Sequence, residues 1–113
     1  MSTEKRAFRR YAVEVKGEIL INGEVVAAAT NDVSKGGCGL IVDRPVPENG
    51  KVPLTLFLTQ DGIEDPDEEP FETNASVMWA APRDDGRYSA GLQFKNLSPA
   101  GAMLLDHFLH AIS

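Results

Sequence analysis

Tyr11-Ala12-Val13-Glu14-Val15-Lys16-Gly17-Glu18-Ile19-Leu20-Ile21, then Asn22-Gly23, then Glu24 to Thr30, is the stretch on which the fold turns. Tyr11, Val13 and Val15 alternate with Ala12, Glu14 and Lys16, the period of two that a half-buried strand requires. The pattern resumes beyond Gly17 through Ile19-Leu20-Ile21, with room for a bulge at the glycine. Asn22-Gly23 suits the two positive-φ positions of a type I′ turn, so Glu24 to Thr30 reads as the return strand of a hairpin.

Outward from this hairpin, Gly39-Leu40-Ile41-Val42 reads as a third strand, ended by Pro45, Pro47 and Asn49-Gly50. Lys51 to Thr59 sets Val52, Leu54, Leu56 and Leu58 on one face, while Pro53 lacks a ladder donor and points to a half-buried edge strand. Gln60 to Pro70 is acidic, contains two prolines and reads as a solvated loop. Phe71 to Ala81 and Arg87 to Lys95 are strands joined by the turn-forming Pro82-Arg83-Asp84-Asp85-Gly86. The period then changes: Ser98-Pro99 offers an N-cap and a proline at the first helical position, and Leu104, Leu105, Phe108, Leu109 and Ile112 form one helical face. About six strands and one helix predict a mainly β fold, a small antiparallel barrel or strongly curled sheet plugged by the helix.

A chain of 113 residues makes one domain with a real core. Hydrophobic residues make up 42% and charged residues 25%, no apolar run approaches a membrane span, and the polar start does not read as a secretory signal. The single Cys38 cannot pair within the chain, so a cytoplasmic protein without membrane insertion is expected. The net charge of -6 argues against nucleic acid as a partner. Yet Lys5, Arg6, Arg9 and Arg10 cluster at one end, while Asp61, Glu64, Asp65, Asp67, Glu68, Glu69 and Glu72 run without a basic residue among them. That division favours a small anion.

Arg6 and Arg10, four apart, can present two planar guanidinium forks to phosphate or to the O6/N7 edge of guanine; such a segment also reads as a solvated arm. Asp32 can accept from guanine N1–H and N2–H₂, and Ser34 can donate or accept. Gly36, Gly37 and Gly39 permit positive φ and close approach of backbone N–H groups to an anion, although the same residues suit an ordinary Asx or Ser turn.

Arg6-x-x-x-Arg10-Tyr11, then Asp32-x-Ser34-x-x-Gly37, then Val77-Met78-Trp79 with Tyr88-Ser89-Ala90-Gly91-Leu92-Gln93-Phe94 together resemble the PilZ family over nearly the whole chain. The resemblance implies a single domain, with a flexible arginine arm over 1–10, a six-stranded antiparallel β-barrel over 11–95 and a C-terminal α-helix over 98–112. It implies a receptor for the bacterial messenger cyclic di-GMP, the arm wrapping over a ligand held on the barrel surface. Arg6 and Arg10 would hold phosphates and guanine edges, assisted by Lys5 and Arg9, while Asp32 and Ser34 recognise guanine and Gly37 shapes the loop with Gly36 beside it. Lys5, just before the arginine pair, bears on whether one cyclic di-GMP or a stacked pair binds. Trp79, the only tryptophan, is a candidate stacking face for guanine or else a core or rim residue. Phe8 is placed to pin the arm to the barrel.

Other chemistries find little support. Gly36-Gly37-Cys38-Gly39 is not a phosphate-binding loop, and no GxGxxG is present. His107 and His110 lack a third ligand for a metal, the acidic run lacks EF-hand spacing, and nothing brings Ser34 and His107 into a triad. The expectation is a non-enzymatic receptor without cofactor or metal that alters contact with a downstream protein. The alternative is a PilZ-like adaptor that binds no nucleotide and docks to a motility or secretion component.

Overall fold

The computed structural model describes residues 8–58 and 69–113. Six strands follow in order: β1 (Lys16–Ile21), β2 (Glu24–Val33), β3 (Gly37–Val42), β4 (Lys51–Leu56), β5 (Phe71–Pro82) and β6 (Tyr88–Lys95). They pair antiparallel and close into a barrel in the order β1-β2-β3-β6-β5-β4. One helix, α1 (Pro99–Ile112), ends the chain. Positions 61–68 of the acidic run, read above as a solvated loop, lie outside the described residues.

The turn chemistry acts as the local sequence predicts. Asn22 and Gly23 take φ of 51° and 83°, the left-handed pair of the hairpin between β1 and β2. The Ser98 hydroxyl accepts from the Gly101 N–H at 2.9 Å, with Pro99 at the first helical position. Alternation fills the interior: Ile19, Val26, Leu40, Val42, Leu54, Leu56, Ala75, Val77, Ala90 and Leu92 are buried, and α1 adds Leu105, Phe108 and Leu109 to the same core. Phe71 and Phe94 meet edge to face, their centroids 5.1 Å apart.

Two expectations are corrected. β4 is not an edge: it pairs with β5 along its length and with β1 through Gly17–Leu56, Glu18–Thr55 and Ile19–Leu54, and Val52, Leu54 and Leu56 are fully buried. Pro53 is tolerated because the pairing with β1 stops one residue short of it. Gly17 does not mark a bulge either, since the β1–β2 register runs unbroken from Lys16–Ala29 to Ile21–Glu24. Its lack of a side chain serves closure, because a Cβ there would collide with the Thr55 carbonyl and stand 2.7 Å from the Leu56 side chain.

Candidate functional site

The lead-in to the barrel is tied down before β1 begins. Tyr11 and Val33 exchange both backbone hydrogen bonds at 2.9 Å, which lays the segment at 8–11 beside the end of β2. Arg10 is thereby brought to Asp32, its Nη1 3.3 Å from Oδ1. The same carboxylate oxygen accepts the Gly39 N–H at 3.2 Å. Both side chains are partly exposed, so the ion pair itself contributes only about 0–1 kcal/mol and is cheap to exchange for a ligand.

Asp32 faces outward because β2 carries a bulge. Thr30 pairs with Leu40 and Asp32 with Gly39, leaving Asn31 as the extra residue, so Thr30 and Val33 both point inward while Asn31 and Asp32 meet solvent. The tight connection to β3 is built on Ser34. Its hydroxyl accepts from the Gly36 and Gly37 N–H groups at 3.1 and 3.2 Å and lies 3.3 Å from the Gly37 carbonyl oxygen, which also accepts the Ser34 N–H at 2.8 Å. Ser34 is buried, and its hydroxyl is engaged in shaping the loop.

The loop glycines act by close approach and not by positive φ, which none of Gly36, Gly37 and Gly39 adopts. Phe8 packs its ring on Gly36, 2.8 Å from where a Cβ would stand. A Cβ on Gly37 would strike the Leu92 carbonyl, and one on Gly39 the Asn31 amide oxygen. Cys38, between them, is buried; desolvation first and the Asp32 charge second push its thiol up to about 12, against the opposing effect of Arg10.

Arg9 points elsewhere. Its guanidinium stands 5.0 Å from the Tyr11 ring centroid and lines a cleft of about 690 Å³ with Phe8, Lys35 and the α1 residues Met103, His107 and His110. Lys35 reaches across to Asp106 of α1 at 3.1 Å, joining the β2–β3 loop to the helix. Neither Asp32, Ser34 nor Trp79 lines this cleft. Lys5 and Arg6 lie outside the described residues.

Trp79 is on the surface and not in the core. A second bulge, at Met78, leaves both Met78 and Trp79 about half exposed, and the indole lies over Gly91, where a Cβ would meet Nε1. Gly91 pairs with Gly39 across β3 and β6. Asp32, Gly39, Gly91 and Trp79 therefore form one row across β2, β3, β6 and β5, a carboxylate at one end and an aromatic face at the other. Asp32 and Trp79 are among the residues singled out from the sequence, whereas Asn31 and Gly91 are set beside them only by the strand register. The available signal for Gly91 was a glycine inside a strand, which marks close approach of another group.

Among solved structures the fold is similar to that of Bacillus subtilis inhibitor of motility, MotI/DgrA, with a TM-score of 0.75 and 14% identity over 96% of this chain and 50% of that one. It is similar to the PilZ domain with c-di-GMP of YcgR from Escherichia coli, with a TM-score of 0.73 and 15% identity over 96% and 91%. The K. pneumonia MrkH–c-di-GMP complex gives a TM-score of 0.71 and 17% identity over 97% and 53%. The chain thus spans about half the length of MotI/DgrA and of MrkH. No curated protein matches it in sequence. Among the described residues no helix is long and apolar enough to cross a membrane. The PilZ domain model matches residues 4–111, and with the closed barrel and its C-terminal helix beside that match, the chain belongs to the PilZ domain family.

Proposed function

We propose that this protein is a cyclic di-GMP receptor without catalytic activity, whose N-terminal arginine arm closes over the ligand and so changes the surface offered to a second protein in the cytoplasm. The observation that carries the reading is the Arg10–Asp32 pair set over a Ser34-shaped loop, on an outer barrel face that ends in the exposed Trp79 indole. Such a face suits a ligand with two phosphates and two purines: guanidinium forks for the phosphates, a carboxylate for the guanine N1–H/N2–H₂ edge, and an indole for the ring. The c-di-GMP complexes of the similarly folded YcgR domain and of MrkH support the same ligand.

In this reading Arg6 and Arg10 hold phosphate or guanine edges, Lys5 and Arg9 assist, Asp32 recognises a guanine, Ser34, Gly36 and Gly37 keep the loop in shape, and Trp79 stacks. Arg9 would have to leave the Tyr11 ring to reach the ligand, and its cation–π contact, worth about 0.5–1 kcal/mol at an exposed site, opposes that only weakly. Closing an arm costs about 1–2 kcal/mol of backbone entropy for each residue it fixes, so several charge-assisted bonds must form together.

Isothermal calorimetry with cyclic di-GMP tests this, with GTP as control and Arg10→Ala in parallel. The expected result is saturable binding at one or two dinucleotides per chain, weakened at least tenfold or lost in the variant. A folded wild-type protein that gives no heat overturns the receptor reading and leaves the adaptor that docks to a motility or secretion component.

A further inference from the structure

Asp32 does not stand alone at the end of β2. The bulge turns two successive residues, Asn31 and Asp32, toward solvent, and both side chains lean over Gly39. A Cβ at Gly39 would run into the Asn31 Oδ1 and lie 3.2 Å from the Asp32 Oδ2, so two oxygens from neighbouring residues converge on one patch of backbone. The two carboxylate oxygens of Asp32 are not equivalent. Oδ1 already accepts from the Gly39 N–H and from Arg10, whereas among the described residues Oδ2 and the Asn31 Oδ1 receive no donor.

Guanine is distinguished from other purines by two adjacent donors on its Watson–Crick edge, the imino N1–H and the exocyclic N2 amino group. Reading both takes two acceptors side by side. Resting on the receptor function above, we propose that the acceptor pair is split between two residues, the ionised Asp32 Oδ2 taking N1–H and the Asn31 Oδ1 taking the N2 amino group. Asn31 is then a second specificity-determining residue. The charged oxygen belongs on the imino N–H, the more acidic donor, and the neutral amide oxygen suffices for the amino group. The Gly39 N–H holds the carboxylate by its other oxygen, so the base need not displace it whether or not Arg10 turns to the ligand. The Trp79 indole, which covers Gly91, the cross-strand partner of Gly39, borders the base on its far side.

The test is calorimetry with cyclic di-GMP and with cyclic di-IMP, its hypoxanthine counterpart, which keeps N1–H but lacks the N2 amino group. Wild type, Asn31→Ala and Asn31→Asp are compared, with thermal unfolding to show that each is folded. Asn31 is exposed, so neither change disturbs the core. The wild type should prefer cyclic di-GMP. Asn31→Ala should lose about tenfold in affinity for it and little for cyclic di-IMP, so that the preference collapses. Asn31→Asp keeps an oxygen of the same reach and should keep the preference. Unchanged cyclic di-GMP binding in Asn31→Ala, or an equal loss for both dinucleotides, overturns the split. A wild type that binds neither dinucleotide overturns the receptor reading itself, a result distinct from failure in the variant alone.

Discussion

Cys38 follows Gly37 directly and lies within the electrostatic reach of Asp32 and Arg10, yet it is too buried to be a reactive thiol. Its acidity has a testable consequence for stability. An acid held neutral by burial stabilises the fold fully while the unfolded thiol is also neutral, below pH 9, and that contribution drains away as pH rises toward the folded value of about 12. Over that interval the unfolded state sheds a proton that the folded state keeps, so stability falls by about 1.4 kcal/mol per pH unit. Urea unfolding of wild type and Cys38→Ala at pH 8 and pH 10.5 should show the wild type losing about 2 kcal/mol more than the variant across that step. An equal pH dependence would show that the thiol titrates normally in the folded protein. Residue types, and so the candidate chemistry of Asp32, Ser34 and Arg10, are legible in the chain itself. What each does is less so, since whether Gly36 serves a turn or a seat for Phe8 depends on a neighbour twenty-eight positions away.

At the scale of elements, the lead-in segment and β2 are joined by one buried hydroxyl. The Thr30 Oγ1 accepts from the Val15 N–H in a buried bond and donates to the Val13 carbonyl in a partly buried one, each at 2.8 Å. This clamp holds the strand-like residues 13–15, which β1 proper does not include, and upstream of them Tyr11 and Arg10. Thr30→Val keeps the shape but leaves the buried Val15 N–H and the partly buried Val13 C=O without this partner, at an expected cost of about 1–3 kcal/mol. A lower urea midpoint with an unchanged m-value would report it, and an unchanged midpoint would mean that the two groups find other partners. Hairpins and helix were legible in the sequence because φ preference, capping and period are local. The bulges at Asn31 and Met78 were not, because an extra residue in one strand is defined only against its partner, and each changes which side chains face outward.

For the whole molecule, the candidate site occupies β2, β3, β6 and β5, whereas closure is completed on the other side, where β1 meets β4. Gly17→Ala places a methyl group against the Thr55 carbonyl and Leu56, and this overpacking should cost about 1–3 kcal/mol. Cyclic di-GMP affinity of the folded variant should stay at the wild-type level, since the row from Asp32 to Trp79 does not include this seam. A lower thermal midpoint with unchanged calorimetric affinity is the expected pair of results, and loss of affinity at equal folding would show that closure and site are coupled. By itself the sequence determined the strands, the Asn22-Gly23 hairpin, the Ser98-capped helix and the two linear motifs, because each rests on residues within a few positions of one another. Only the tertiary structure decided that Pro53 stands in an interior strand of the barrel, that Arg10 docks on Asp32, and that Asn31, Gly39, Gly91 and Trp79 share one face. Those relations depend on long-range register and on barrel closure, which bring together residues tens of positions apart and leave no periodic trace in the chain.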